Sequence, residues 1–358
     1  MMKTTIFLAF LFMFPVLAGA QSYTVSGTVI DNKSQQPLGG ASVFCQNTTI
    51  GTLTNSNGEF RLTVPAGGYD IVISYTGYET QSARISQQAD NLQSLRFVLK
   101  EKDKSLEEVS ITVTNEVKDG LENYGGFFKE QFIGLTQNSK SCSIENPETL
   151  RFFFSKKKNR LKITAKGDIM ISNMALGYRI RYQLDSFTHE YGTGITQYTG
   201  YPLFEEMEGT EEQKNTWETN REAAYYGSLL HFMRAYYDST LGDSGFKLEL
   251  VDEKGGKNRK INNPYDSSIA ILENNELEIH AGRKMRVVYS LEKPEDLYLQ
   301  KNKLSANTTI QVSLVDFLDT VVIEQNGYFY DQRDLLTQGY WSWEKLADFL
   351  PYNFIPVE

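Results

Sequence analysis

The chain has 358 residues, a formal charge of −9, 13% aromatic side chains, three histidines and two cysteines. The acidic balance argues against nucleic-acid binding, which needs a concentrated positive face, and suits a soluble, self-repelling surface. The length makes about two domains the default.

Residues 1–20 read as a cleavable export signal. Lys3 gives the positive start and Ile6 to Leu17 the apolar run. Ala18-Gly19-Ala20 supplies the small residues a signal peptidase needs, so Gln21 would become the new N-terminus. The run falls short of the ~20 residues that cross a bilayer. No Cys follows the cleavage site, so a lipid anchor is not supported. No later stretch reads as a helical membrane span. An outer-membrane barrel would need many alternating segments of about ten residues, and the chain has too few. The expected location is the periplasm or the outer membrane.

Residues 21–100 read as a β-sandwich. Tyr23, Val25, Gly27 and Val29 alternate with polar residues, and Ala41, Val43 and Cys45 alternate in a second strand. Gly51 to Thr54 leads to the turn Asn55-Ser56-Asn57-Gly58. Phe60, Leu62 and Val64 follow, then the turn Pro65 to Gly68, then Tyr69, Ile71, Ile73 and Tyr75 on one face. Leu95, Phe97 and Leu99 close the unit. Strands at this spacing with no helix between them mean an all-β sandwich of Greek-key type. On this reading Cys45 faces the core as a small hydrophobe, which argues against a bridge to Cys142.

The order V-S-G-T-V-I-D, P-L-G-G-A-S-V, G-T-L-T-N-S-N-G-E-F-R-L-T-V-P-A-G-G-Y and I-S-Y-T-G-Y resembles the carboxypeptidase regulatory-like domain, a transthyretin-like sandwich. That domain is common at the N-terminus of envelope proteins of the Bacteroidota, TonB-dependent receptors among them. The resemblance covers residues 23 to 100 and implies a fold and no reaction.

Residues 101–126 read as a charged linker, Lys100 to Lys104, and a connecting strand through Val109, Ile111 and Val113. Ser105 to Val109 resembles the segment joining this domain to the plug of TonB-dependent receptors. No plug or barrel pattern follows, so a receptor is not expected.

Residues 127–358 read as a β-rich α+β domain. Strands are expected at Leu150 to Phe154, Leu161 to Ala165, Ile169 to Ile171, Tyr178 to Glu190 and Thr196 to Tyr201. Lys156 to Arg160 reads as a solvated hairpin turn. One long helix is expected from Thr210 to Leu241, opened by the capping box Thr210-Glu211-Glu212-Gln213 and stopped by Gly242. Its stripe of Trp217, Ala224, Ser228, Phe232 and Ala235 would pack on the sheet. Further strands are expected at Phe246 to Val251, Leu277 to Ile279, Met285 to Leu291, Thr309 to Val315 and Val321 to Glu324. A short amphipathic helix is expected over Trp341 to Leu350, ended by Pro351. The motifs S-C-S-I-E-N-P-E-T-L, A-L-G-Y-R-I-R-Y, Y-Y-G-S-L-L-H-F-M-R-A and W-S-W-E-K-L-A-D-F-L-P resemble envelope proteins carrying the same first domain, and bring no activity with them.

The chemistry expected of this chain is sparse. His189, His231 and His280 have neither zinc-peptidase spacing nor an H-x-x-E pair, and read as structural or exposed. Gly242-Asp243-Ser244-Gly245 reads as a turn rather than a nucleophile. Glu205, Glu206, Glu211, Glu212 and Glu222 are the nearest candidates for paired carboxylates. Tyr191, Tyr198, Tyr201, Tyr225, Tyr226, Tyr236 and Tyr237 could line a sugar or peptide site but read mostly as packing. No catalytic, cofactor or metal residue is assigned. The expectation is a mainly β, exported, non-catalytic envelope protein that binds a protein or glycan partner. The alternatives are a glycan or peptide hydrolase in the second domain, and a purely structural envelope component.

Overall fold

The computed structural model describes residues 22–102, except 88, 90 and 91, and residues 116–357, except 253, 274 and 281. The export signal and the expected strand through Val109 to Val113 lie outside the described residues.

The first unit is the expected sandwich. Its strands are β1 (Ser22–Asp31), β2 (Ser42–Cys45), β3 (Gly51–Leu53), β4 (Glu59–Pro65), β5 (Tyr69–Ser74), β6 (Gln81–Ile85) and β7 (Leu95–Leu99). Sheet β4-β1-β7 faces sheet β3-β2-β5-β6. Period-two alternation drives the closure: in β4 Phe60, Leu62 and Val64 are buried while Glu59, Arg61 and Thr63 are exposed. Ala41, Val43 and Cys45 point into the same core, and both cysteines are buried and unbridged.

The rest of the chain opens with helix α1 (Gly120–Phe132), which carries Phe128 and Phe132 into a second core. A six-stranded sheet follows, from β8 (Cys142–Ile144), β9 (Leu150–Ser155), β10 (Arg160–Ala165), β11 (Ile169–Asn173), β12 (Tyr178–Glu190) and β13 (Ile195–Glu206). The long strand β12 organises it. One edge pairs with β11 and then β10, and the other pairs with β13 along its length. Lys156 to Asn159 is the turn between β9 and β10, as expected.

The single long helix expected from Thr210 to Leu241 is instead two helices, α2 (Glu211–Tyr225) and α3 (Leu229–Tyr237). The capping box on Thr210 is present. The break falls at Gly227, whose φ of +86° is left-handed and leaves the helical path at little cost only for glycine. Ser228 then caps α3 by accepting from the His231 N–H at 3.2 Å. The apolar stripe runs through the break without interruption, which is why it reads as one helix.

The third layer has two sheets. The five-stranded one is ordered β15-β14-β18-β19-β21, where the members are β14 (Phe246–Leu250), β15 (Arg259–Lys260), β18 (Arg283–Tyr289), β19 (Gln311–Phe317) and β21 (Leu335–Gly339). The small one joins β16 (Ala270–Glu273), β17 (Glu276–Ile279) and β20 (Val321–Ile323). Helix α3 lays Phe232, Met233, Ala235 and Tyr236 into the core they share. Short helices α4 (Asp296–Lys301) and α5 (Tyr340–Trp343) complete the unit.

The expected helix over Trp341 to Leu350 is also corrected. Helix α5 stops at Trp343, Glu344 is extended, and Leu346–Asp348 form a 3-10 turn. Tertiary hydrogen bonds override the amphipathic pattern here. The Ala347 N–H donates to the Ile133 carbonyl at 3.0 Å, and Asn173 Nδ2 donates to the Ala347 carbonyl at 2.9 Å. Leu346 and Ala347 are thereby turned into the second core.

Candidate functional site

A cleft of about 330 Å³ opens where the sandwich, helix α2 and the tail after Leu350 meet. Helix α2 is fixed over the end of β12 by polar side chains that reach backbone carbonyls. Trp217 Nε1–H donates to Met174 O at 2.9 Å, Asn220 Nδ2 to Ala175 O at 2.8 Å, and Arg221 Nε to Leu176 O at 2.7 Å. The Arg221 guanidinium also lies 3.9 Å over the Tyr178 ring and pairs with Glu206 at 3.4 Å. Gly177 (φ +67°) lets the indole lie this close, since a Cβ there would come 2.2 Å from Trp217 Cδ2.

The second wall is the tail. Asn353 Nδ2 donates to Thr49 Oγ1 at 2.6 Å, and its Oδ1 accepts from the Thr49 N–H at 3.0 Å. Tyr352 N–H donates to Asn47 O at 2.7 Å. The sandwich loop is gripped from the other side by β13: Asn47 N–H donates to Pro202 O at 2.7 Å, and Phe204 N–H donates to Thr48 O at 2.9 Å. Arg234 of α3 secures the tail. Its guanidinium donates to the carbonyls of Asn326, Tyr352 and Phe354, at 3.0, 2.9 and 2.9 Å. The loop from Asn47 to Thr49 is therefore held between the tail and β13.

The cleft wall carries two cations, Lys214 and Arg221, and two carboxylates, Glu206 and Glu218, beside the apolar Met207, Phe354 and Ile355. Trp217 is 5% exposed and Tyr178 only 1%, so neither offers an open ring face.

A second cavity, of about 240 Å³, lies between α3, the β20–β21 connection and the tail. Its walls are mostly apolar, and two carboxylates, Glu344 and Asp348, line it. Burial pushes the Asp348 carboxyl up to about 7, against the lowering effect of hydrogen bonds from Thr136 and Asn138. Burial, then the neighbouring Asp348 charge, puts Glu344 well above the ordinary range.

The residues singled out by sequence are dispersed. Glu205 and Glu206 end β13, and Glu211 and Glu212 open α2, all four in solvent. Of that group only Glu206 reaches the cleft. His189 Nδ1 shares a hydrogen bond with Thr196 Oγ1 at 2.8 Å, and His280 Nε2 lies 3.1 Å from Ser267 O. His231 is buried, and its Nδ1 accepts from the Gly227 N–H at 3.1 Å. Burial, helped by the Arg234 charge, lowers its imidazole to about 4. Ser244 bonds Thr240 at 3.3 Å within the turn after α3. Burial raises the Cys45 and Cys142 thiols to about 12, so both are held neutral. Tyr198 meets Phe132 edge-on and stacks on Phe187, and the Tyr236 and Tyr237 hydroxyls donate to the carbonyls of Pro264 and Asn275. Among the described residues no group of three or more His, Cys, Asp or Glu is placed to hold a metal ion. Sequence reasoning missed Glu344 and Asp348, because a continuous helix there would set them, four residues apart, together on its polar, solvated face.

Residues 25–111 match the family model of the CarboxypepD_reg-like domain. The TonB-dependent receptor SusC of Bacteroides thetaiotaomicron is 35% identical over 101 residues, which is 28% of this chain and 9% of the receptor. The TonB-dependent receptor P3 of Formosa agariphila is 30% identical over 138 residues, 37% of this chain and 12% of the receptor. This chain thus spans only those small shares of the two receptors. Among solved structures, 3-chlorocatechol 1,2-dioxygenase from Rhodococcus opacus 1CP overlaps 24% of this chain and 61% of that chain, at 14% identity and a TM-score of 0.20. The N-terminal sandwich is accordingly a CarboxypepD_reg-like domain, as its motifs imply, in a chain with distant homology to TonB-dependent receptors of the Bacteroidota.

Proposed function

We propose that the chain is an exported, non-catalytic envelope protein that binds an extended polypeptide segment of a partner envelope protein in the cleft beside α2. The export-type leader and the two receptor relatives support the compartment. The observation that carries the binding role is the make-up of the cleft. Three separate parts of the chain converge on it, and it sets two cations and two carboxylates next to Met207, Phe354 and Ile355. Such a surface suits a peptide, whose amides and mixed side chains need both kinds of contact. A glycan has less support, because sugar rings favour open aromatic faces and Trp217 and Tyr178 are covered. A hydrolase has less support too, because Asp348 is already held by Thr136 and Asn138.

The test is photo-crosslinking in envelope preparations, with the photoreactive residue placed at Glu218 or Ile355 and, as a control, at Lys157. Protein adducts confined to the two cleft positions, and lost when Lys214→Glu and Glu218→Lys are combined at the Ile355 probe, are expected. Adducts equal to those at position 157, or glycan adducts instead, would refute the reading.

A further inference from the structure

The second cavity has a chemistry the cleft lacks. Leu229, Met233, Phe329, Trp341 and Leu350 give it apolar walls, and among the described residues no Lys or Arg lines it. Two carboxylates nevertheless sit in that lining, and they are not equivalent. Asp348 is fixed: Thr136 Oγ1 donates to its Oδ2 at 2.9 Å and Asn138 Nδ2 to its Oδ1 at 3.0 Å. Glu344 lines the cavity half-buried. Among the described residues its carboxylate has no hydrogen-bond or ion-pair partner, and partial burial disfavours its charged form. Asp348, Glu292 and Glu295 add negative potential around it. A partly buried carboxylate beside other acids is costly without a cation near it, and among the described residues the cavity lining supplies none.

We propose that this cavity is a binding site for a small organic cation, a primary amine on a compact apolar body, with the Glu344 carboxylate receiving the ammonium. The walls take the apolar body. A volume of about 240 Å³ admits a ligand of roughly ten non-hydrogen atoms. The Glu344 carboxylate accepts charge-assisted hydrogen bonds from the ammonium in a low-dielectric setting, where they are strongest. Asp348 contributes its charge from a fixed position. The site is separate from the cleft beside α2, so its ligand need not be the partner bound there.

Titration calorimetry of the purified chain tests this with 2-phenylethylamine and its neutral analogue 2-phenylethanol. The amine is expected to bind at least tenfold more tightly than the alcohol. Glu344→Gln should weaken the amine at least tenfold and leave the alcohol unchanged. Leu229→Trp, which fills the cavity from its wall, should abolish both, and it decides the matter if circular dichroism shows Glu344→Gln to be misfolded. Equal binding of amine and alcohol, undiminished amine binding by either folded variant, or no amine binding at millimolar concentration would overturn the proposal.

Discussion

At the scale of single residues, Arg234 has the widest reach. Its five donors fan out in a rigid plane, and three of them end on carbonyls of the β20–β21 connection and the tail. Replacing it leaves those acceptors unsatisfied at a partly buried joint. Arg234→Met, which keeps the apolar stem, should lower the stability to urea by about 2–4 kcal/mol. A loss below about 0.5 kcal/mol would show that water substitutes freely for the guanidinium. Nothing in the local sequence marks this arginine out, because its partners lie far along the chain and meet it only after folding. The burial of Cys45, by contrast, is legible from its alternation with Ala41 and Val43.

At the scale of elements, the break between α2 and α3 shows where periodicity stops being informative. The apolar stripe continues through it, and the cue is the lone Gly227. Its left-handed φ combines with close neighbours: a Cβ would come 2.7 Å from Tyr289 Cδ1, and the Gly227 carbonyl accepts from Trp341 Nε1 at 2.7 Å. Gly227→Ala therefore meets conformational and steric strain together and should cost about 2 kcal/mol or more in thermal or urea unfolding. A neutral result would mean the kink is not fixed by this residue. Strands with clean alternation, such as β4 and β12, are readable directly. Strand β6 is not, because Gln-Ser-Ala-Arg-Ile has too few apolar positions and owes its order to pairing with β5. Helix α1 is hidden by Gly125 and Gly126, poor helix formers, and is held by Phe128 and Phe132 in the second core. The cleft is partly legible through Trp217 and Glu206, but the tail after Leu350 that forms its other wall has no periodic pattern to mark it and is placed by hydrogen bonds to Asn47, Thr49 and Arg234.

At the scale of the whole molecule, the joint between the sandwich and the third layer carries unusual charge. Arg84 stacks on Tyr330 and pairs with Glu276 at 2.8 Å and Glu324 at 3.6 Å. Tyr328 OH donates to Asp70 at 2.9 Å, and Asn326 Nδ2 donates to Gly68 O at 2.9 Å. Burial outweighs Arg84 and lifts the Glu324 carboxyl to about 7, and burial also raises Asp70. A carboxyl whose pKa is higher in the folded chain binds its proton more tightly there. Its contribution is complete below the ordinary carboxylate range and is lost as pH rises through the folded value. Asp348 acts in the same direction. His231 opposes them, because an imidazole lowered to about 4 resists the proton that the unfolded chain accepts below its ordinary value near 6.5. The urea midpoint should therefore climb as pH falls from about 8 to 6.5, climb less steeply below that as the unfolded chain takes up the His231 proton, and climb less throughout in Glu324→Gln. A wild-type midpoint that falls steadily from pH 8 would contradict the assignment.

Tyr328 and Tyr352 belong to the same apolar cluster as Val25, Tyr69 and Ile73. During translation these two rings emerge about 250 residues behind β7, a delay of roughly 10 to 50 s at ordinary elongation rates. The sandwich strands can pair in that interval, but one side of their interior waits open until the distant tyrosines arrive. A ribosome that stalled before residue 328 would release a module with an uncovered greasy flank, an attractive target for chaperones and proteases.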